Sequence, residues 1–121
     1  MELNEYQKQA MTTCTQSSRN ESYMLLNLSA EVGELLAKVA KGIRKEKCVI
    51  DGNRLFYKGS PLPETIEYED GLMAEAGDVL WQLSGFCSVM GWKLEDVAQM
   101  NLSKLQSRKE RGVIVGDGDK R

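Results

Sequence analysis

Histidine is absent from this 121-residue sequence, proline occurs twice, cysteine three times, and aromatic residues make up 7%. Without an imidazole there is no Ser-His-Asp or Cys-His nucleophile system, no imidazole acid or base, and no histidine-ligated zinc. Cys14, Cys48 and Cys87 are odd in number and far apart, so neither a disulfide framework nor a CxxC metal knuckle is expected. Buried thiols in a reducing compartment are the simpler reading. No apolar run approaches the roughly 20 residues of a membrane span, and the opening MELNEYQK lacks the apolar core of a signal peptide. Neither GxxxxGKS/T nor GxGxxG occurs, which disfavours a kinase or P-loop motor. A cytoplasmic location with no membrane partner is expected. The 16 Lys and Arg against 18 Asp and Glu give a net charge of −2, which disfavours a nucleic-acid partner. Chemistry is left to carboxylates, amines, hydroxyls and thiols.

What is present is a balance of 41% hydrophobic and 28% charged residues, typical of one small globular domain. Leu3, Tyr6, Ala10, Met11 and Cys14 recur at helical spacing and predict a helix over 4–17, with Asn4 and Gln7 placed like its N-cap and third residue. Leu25, Leu28, Val32, Leu35, Leu36 and Val39 mark a second helix ending near Gly42. Between them and the next helix, Cys48-Val49-Ile50 and Leu55-Phe56-Tyr57 flank Asp51-Gly52-Asn53, the pattern of a short hairpin within 46–60. Helical spacing returns over 64–90, stopped by Gly91, and again over 94–110, stopped by Gly112. The expected fold is all-α, a four-helix-bundle-like subunit over 1–112 that assembles with a second subunit, followed by a flexible tail over 113–121.

The most informative feature is a repeat. Ala30 to Ala40 reads AEVGELLAKVA, Ala74 to Ser84 reads AEAGDVLWQLS, and the two align without gaps. Each carries a glutamate, a glycine two residues on, and a second acid three residues after the first: Glu31 with Glu34, and Glu75 with Asp78. At about 100° per residue, each pair lies at about 80° and 140° from the centre of its own apolar stripe, on the same side. Two packed helices with matching stripes can therefore present four carboxylates to one space. Like charges so placed repel, and a divalent cation removes the conflict; all-oxygen ligation favours Mg²⁺ or Mn²⁺. Gly33 and Gly77 add to this, since a glycine inside a helix costs roughly 1 kcal/mol against alanine and suggests close backbone approach. The competing reading is a solvated acidic face, with Glu34 and Lys38 forming an i,i+4 pair.

On the last helix, Asn101, Lys104 and Arg108 fall within an arc of about 60° beside the apolar stripe. They can donate to phosphate oxygens, or simply interact favourably with the helix dipole, and spacing alone leaves both readings open. Trp81 lies opposite its helix's stripe and can stack on a base or fill a subunit interface, the interface being favoured.

At these residues the sequence resembles the MazG-like nucleotide pyrophosphohydrolases of the all-α nucleoside triphosphate pyrophosphatase superfamily. The resemblance rests on Glu31-Val32-Gly33-Glu34 paired with Glu75-Ala76-Gly77-Asp78, on the opening NEYQKQA, and on NLSKLQSR, where Asn101, Lys104 and Arg108 match an N..K...R pattern. It implies Mg²⁺-dependent hydrolysis of a nucleoside triphosphate to the monophosphate and pyrophosphate, in nucleotide-pool house-cleaning, by a homodimer or homotetramer. It further implies Glu31, Glu34, Glu75 and Asp78 as metal-binding and catalytic residues and Asn101, Lys104 and Arg108 as phosphate contacts. Two departures stand out: Ala30 replaces a further glutamate that some members carry, and the spacer from Cys48 to Pro63 is longer than in compact members. A relative acting on dUTP, dCTP or phosphoribosyl-ATP, and a non-catalytic helical interaction module retaining the acidic motif, are the alternatives. With the four acids set apart, 14 acids face 16 bases, so the remainder of the chain is slightly basic.

Overall fold

The computed structural model describes residues 1–58 and 62–121. Among them run α1 (Leu3–Met11), a short 3-10 turn (Gln16–Ser18), α2 (Glu21–Arg44), β1 (Cys48–Asp51), β2 (Arg54–Tyr57), α3 (Leu62–Val89) and α4 (Leu94–Glu110). The protein is mostly helical, with one two-stranded sheet.

Helix α1 ends earlier than its apolar spacing predicts. The Thr12 and Thr13 hydroxyls donate to the Gln9 and Ala10 carbonyls at 2.6 and 2.7 Å, competing with the helical ladder. The Arg19 guanidinium then donates to the Met11 and Cys14 carbonyls, satisfying the helix end. Nor do Asn4 and Gln7 cap α1. Both reach across to the start of α4: Asn4 Oδ1 accepts from the Glu95 amide, and Gln7 Oε1 accepts from the Leu94 amide at 2.8 Å. Gln7 Nε2 also donates to the Trp92 carbonyl and the Ser88 hydroxyl. The pair thus supplies acceptors to another helix's unpaired first-turn donors.

Helix α2 starts where Asn20 Oδ1 accepts from the Tyr23 amide at 2.8 Å. It stops in a Schellman turn, with Lys47 N–H on the Gly42 carbonyl, Glu46 N–H on the Ile43 carbonyl, and Glu46 in the left-handed region at φ 57°. That reversal feeds the antiparallel hairpin, whose register pairs Cys48 with Tyr57 and Asp51 with Arg54. Gly52, at φ 59°, supplies the positive φ that such a two-residue turn requires. The last two residues of the hairpin segment expected over 46–60 lie outside the described residues, as does part of the spacer to Pro63.

Helices α2 and α3 run antiparallel, with Met24 against Gly85, Asn27 against Gln82, and Gly42 against Tyr68. The core is small: Met11, Cys14 and Met24, with Ala10, Trp81, Phe86 and Val89 packed around them. Much apolar surface stays outside it, including Leu26 at 73% exposure, Leu36 at 64% and Met73 at 70%. Helix α4 rests on α1 and the end of α3 through its first turn, and every residue from Gln99 to Ser107 is exposed. Residues 113–121, the segment expected as a tail, make contacts back to α4 and to one another. Arg108 and Arg111 donate to tail carbonyls, and Arg121 donates to the Val113 carbonyl.

Candidate functional site

Antiparallel packing of α2 on α3 faces the two copies of the acidic motif toward each other. Carboxylate oxygens of Glu31, Glu34 and Glu75 all lie within 4.8 Å of one another, with Glu31 and Glu75 half-buried. Asp78 is not part of this group. Its charge bears on Tyr6 of α1, whose phenol is raised first by burial and second by the Asp78 carboxylate. The structure thus brings together three of the four acids that the sequence singles out.

The Glu31 carboxylate is held by a polar relay that sequence reasoning missed. Asn27 Nδ2 donates both to Glu31 Oε1 at 3.0 Å and to Gln82 Oε1 at 2.9 Å. Gln82, fully buried, donates in turn to the Met24 carbonyl at 3.1 Å. Helical spacing carries the signal: Asn27 precedes Glu31 by four residues and Gln82 follows Glu75 by seven, so the acidic stripe on each helix continues as amides into the core.

The two glycines inside the motif have a different surrounding from the one expected. A Cβ at Gly33 or Gly77 would meet nothing within 4 Å, so no close approach within the subunit explains them. The close approaches lie elsewhere, at Gly42 beneath Tyr68 and Cys48, and at Gly71 beneath the Lys38 side chain.

The basic triplet on α4 lies apart from the acids. Lys104 Nζ and an Arg108 terminal nitrogen both reach Asp119 Oδ1 at 3.2 Å, and Arg108 also donates to the Asp119 carbonyl at 3.0 Å. These donor hydrogen bonds hold the Asp119 carboxyl below its ordinary range, the Lys104 bond contributing most. Arg108 is buried at 6% exposure, its Nε without a partner among the described residues, whereas Asn101 is exposed. Trp81 is committed within the subunit: its indole N–H donates to Thr13 Oγ1 at 2.8 Å and the Ala10 carbonyl at 3.1 Å, and its ring packs on the core.

No Glu34–Lys38 ion pair forms among the described residues, so the i,i+4 pairing of a plain solvated face is missing. No described helix is long and apolar enough to cross a membrane.

Two antiparallel helices that gather carboxylates, with no imidazole or thiolate among them, define a class of all-α proteins whose donor set fits a hard divalent cation. The chain belongs to the MazG nucleotide pyrophosphohydrolase family, whose domain model matches residues 19–113. It is also similar to the Gene 37 protein of Mycobacterium phage L5, with 41% identity over 100 residues that span 83% of this chain and 75% of that protein. No solved structure gives a significant match.

Proposed function

We propose that this protein hydrolyses a nucleoside triphosphate, ribo- or deoxyribo-, to the monophosphate and pyrophosphate with Mg²⁺, Mn²⁺ serving as a substitute. The observation that carries this reading is the meeting of Glu31, Glu34 and Glu75 from both copies of the repeated motif. These three carboxylates would hold the cation, with Asp78 close enough in sequence to join from the same helix. When bound, the cation supplies Lewis acidity toward phosphoryl oxygens and the attacking water. Water adds across the α–β phosphoanhydride. One P–O bond forms to the water oxygen, one P–O bond of the anhydride breaks, and the water hydrogens end on the products or in solvent. The relay from Gln82 through Asn27 fixes the Glu31 carboxylate in advance of binding, which lowers the ordering cost at the moment of reaction.

A second copy completes the subunit in this reading. The surface of 8889 Å² exceeds the roughly 6,600 Å² expected of a compact 13.6 kDa monomer. Exposed Leu25, Leu26, Leu36, Met73 and Leu80 on α2 and α3 supply an apolar face for a homodimer or a pair of dimers. The three buried free thiols suit a reducing, cytoplasmic setting.

Pyrophosphate release should be assayed with Mg²⁺ across common and damaged triphosphates, with dUTP, dCTP and phosphoribosyl-ATP included. At least one triphosphate should be turned over, and Glu34→Gln or Asp78→Asn should abolish turnover while helicity by circular dichroism is retained. Full activity in both variants would sink the assignment.

A further inference from the structure

A cavity of about 500 Å³ opens directly from the carboxylate cluster. Glu34 and Glu75 form part of its wall, and Lys38, Lys41, Lys45 and Lys47, from the C-terminal half of α2 and the turn after it, form much of the rest. Its volume falls within the range of small-ligand sites. Lys38 reaches it by lying across Gly71, where a Cβ would stand 2.6 Å from Lys38 Cε. Among the described residues, Lys38, Lys41 and Lys45 form no ion pair, although carboxylates line the same cavity.

The negative end of the helix dipole accounts for cations near residue 44, but Lys38 is nearly two turns further back. A free anion would meet Glu34 and Glu75, and a free cation would meet the ammonium groups of Lys38, Lys41 and Lys45. A cation-bound polyphosphate satisfies both halves, with the carboxylates toward the cation and the ammonium groups toward oxygens that the cation leaves uncovered. The wall does not suit a nucleobase. Its aromatic side chain, Tyr68, spends its hydroxyl on the Lys38 carbonyl at 3.1 Å and on Cys48 at 3.4 Å, and that hydroxyl is pressed against Gly42. The basic strip of α4 has its Lys104 and Arg108 engaged by Asp119.

We propose that this cavity is the subsite for the two terminal phosphates of the substrate, held chiefly by Lys38 and Lys41. The inference rests on the pyrophosphohydrolase reading above and adds the subsite for its leaving group. Ammonium groups there offset the charge that pyrophosphate carries as the anhydride bond breaks.

The test is calorimetric titration of inorganic pyrophosphate into the full chain with Mg²⁺ present, for wild type, Lys38→Gln with Lys41→Gln, and Lys104→Gln. Glutamine keeps helix propensity close to that of lysine at these sites. The double variant should lose about tenfold or more in pyrophosphate affinity, as expected for two lost charge-assisted contacts. In hydrolysis its KM should rise more than its kcat falls. Unchanged affinity in the double variant, or loss confined to Lys104→Gln, overturns the subsite even if hydrolysis is observed. Pyrophosphate binding that depends on Lys38 and Lys41 in a chain that turns over no triphosphate upholds the subsite and removes the activity.

Discussion

Asn27 spends both hydrogens of one amide on two acceptors, Glu31 and the buried Gln82, and so couples a site carboxylate to the core. Replacing Asn27 with Ala leaves Gln82 Oε1 without its donor and frees the Glu31 carboxylate to rotate. Stability in urea should fall by about 1–3 kcal/mol, the cost of an unpaired buried polar group. Mn²⁺ affinity by calorimetry should fall by roughly 10–100-fold, as for other groups that orient a ligand. Loss of stability without loss of affinity would make the relay purely structural. At this scale the sequence was legible where spacing decides a direction: acids at i,i+3 share one side of a helix, and Glu31, Glu34 and Glu75 meet where the two helices face each other. Asp78 was not legible in that way, because its surroundings depend on Tyr6 arriving from α1. The pairing of Lys104 and Arg108 with Asp119 depends likewise on how the tail folds back.

Among the elements, α2 makes two opposite demands on glycine. At Gly42 a Cβ would stand 2.6 Å from the Tyr68 hydroxyl and 2.7 Å from Cys48 Sγ, whereas at Gly33 it would meet open space. Gly42→Ala should therefore cost about 1–3 kcal/mol by overpacking, and should weaken the Tyr68 bond to the Lys38 carbonyl. Gly33→Ala should gain about 0.5–1 kcal/mol from lower backbone entropy in the unfolded chain. Urea titrations of both variants check the contrast, and a large loss at Gly33 would place another chain against that face. The helices themselves were readable from apolar spacing and from Gly91 and Gly112, which take positive φ just past α3 and α4. The end of α1 was not, because apolar spacing continues to Cys14 while the Thr12 and Thr13 hydroxyls and Arg19 close the helix at Met11. Asn4 and Gln7 carry the residue types of a cap, and only tertiary packing reveals which helix they cap.

For the molecule as a whole, the closing contact of the tail is ionic, with the Asp119 carboxylate exposed, and so it responds to solution conditions. Lys104 and Arg108 hold the Asp119 carboxyl below its ordinary range. A depressed folded value means that the contact contributes above the unfolded carboxyl value of about 3.9 and fades as pH falls through the lower folded value. Protection of the amides over residues 113–121, taken relative to the intrinsic exchange rate at each pH, should therefore be present at neutral pH, fall in strong acid or at high salt, and be lost at every pH in Asp119→Asn. Protection retained in Asp119→Asn would assign the tail's order to the Arg121 contacts instead.

The attachment of α4 also has a mechanical side. Its first turn is fixed by Gln7 and Asn4, while its stretch from Gln99 to Ser107 is exposed and is held through Lys104 to Asp119 of the tail. From Leu94 to Arg108 is a lever of about 21 Å, so a tilt of about 10° at the fulcrum carries Arg108 through roughly 4 Å. The reach of the last helix is thus set near the opposite end of the chain, by two side-chain amides in α1.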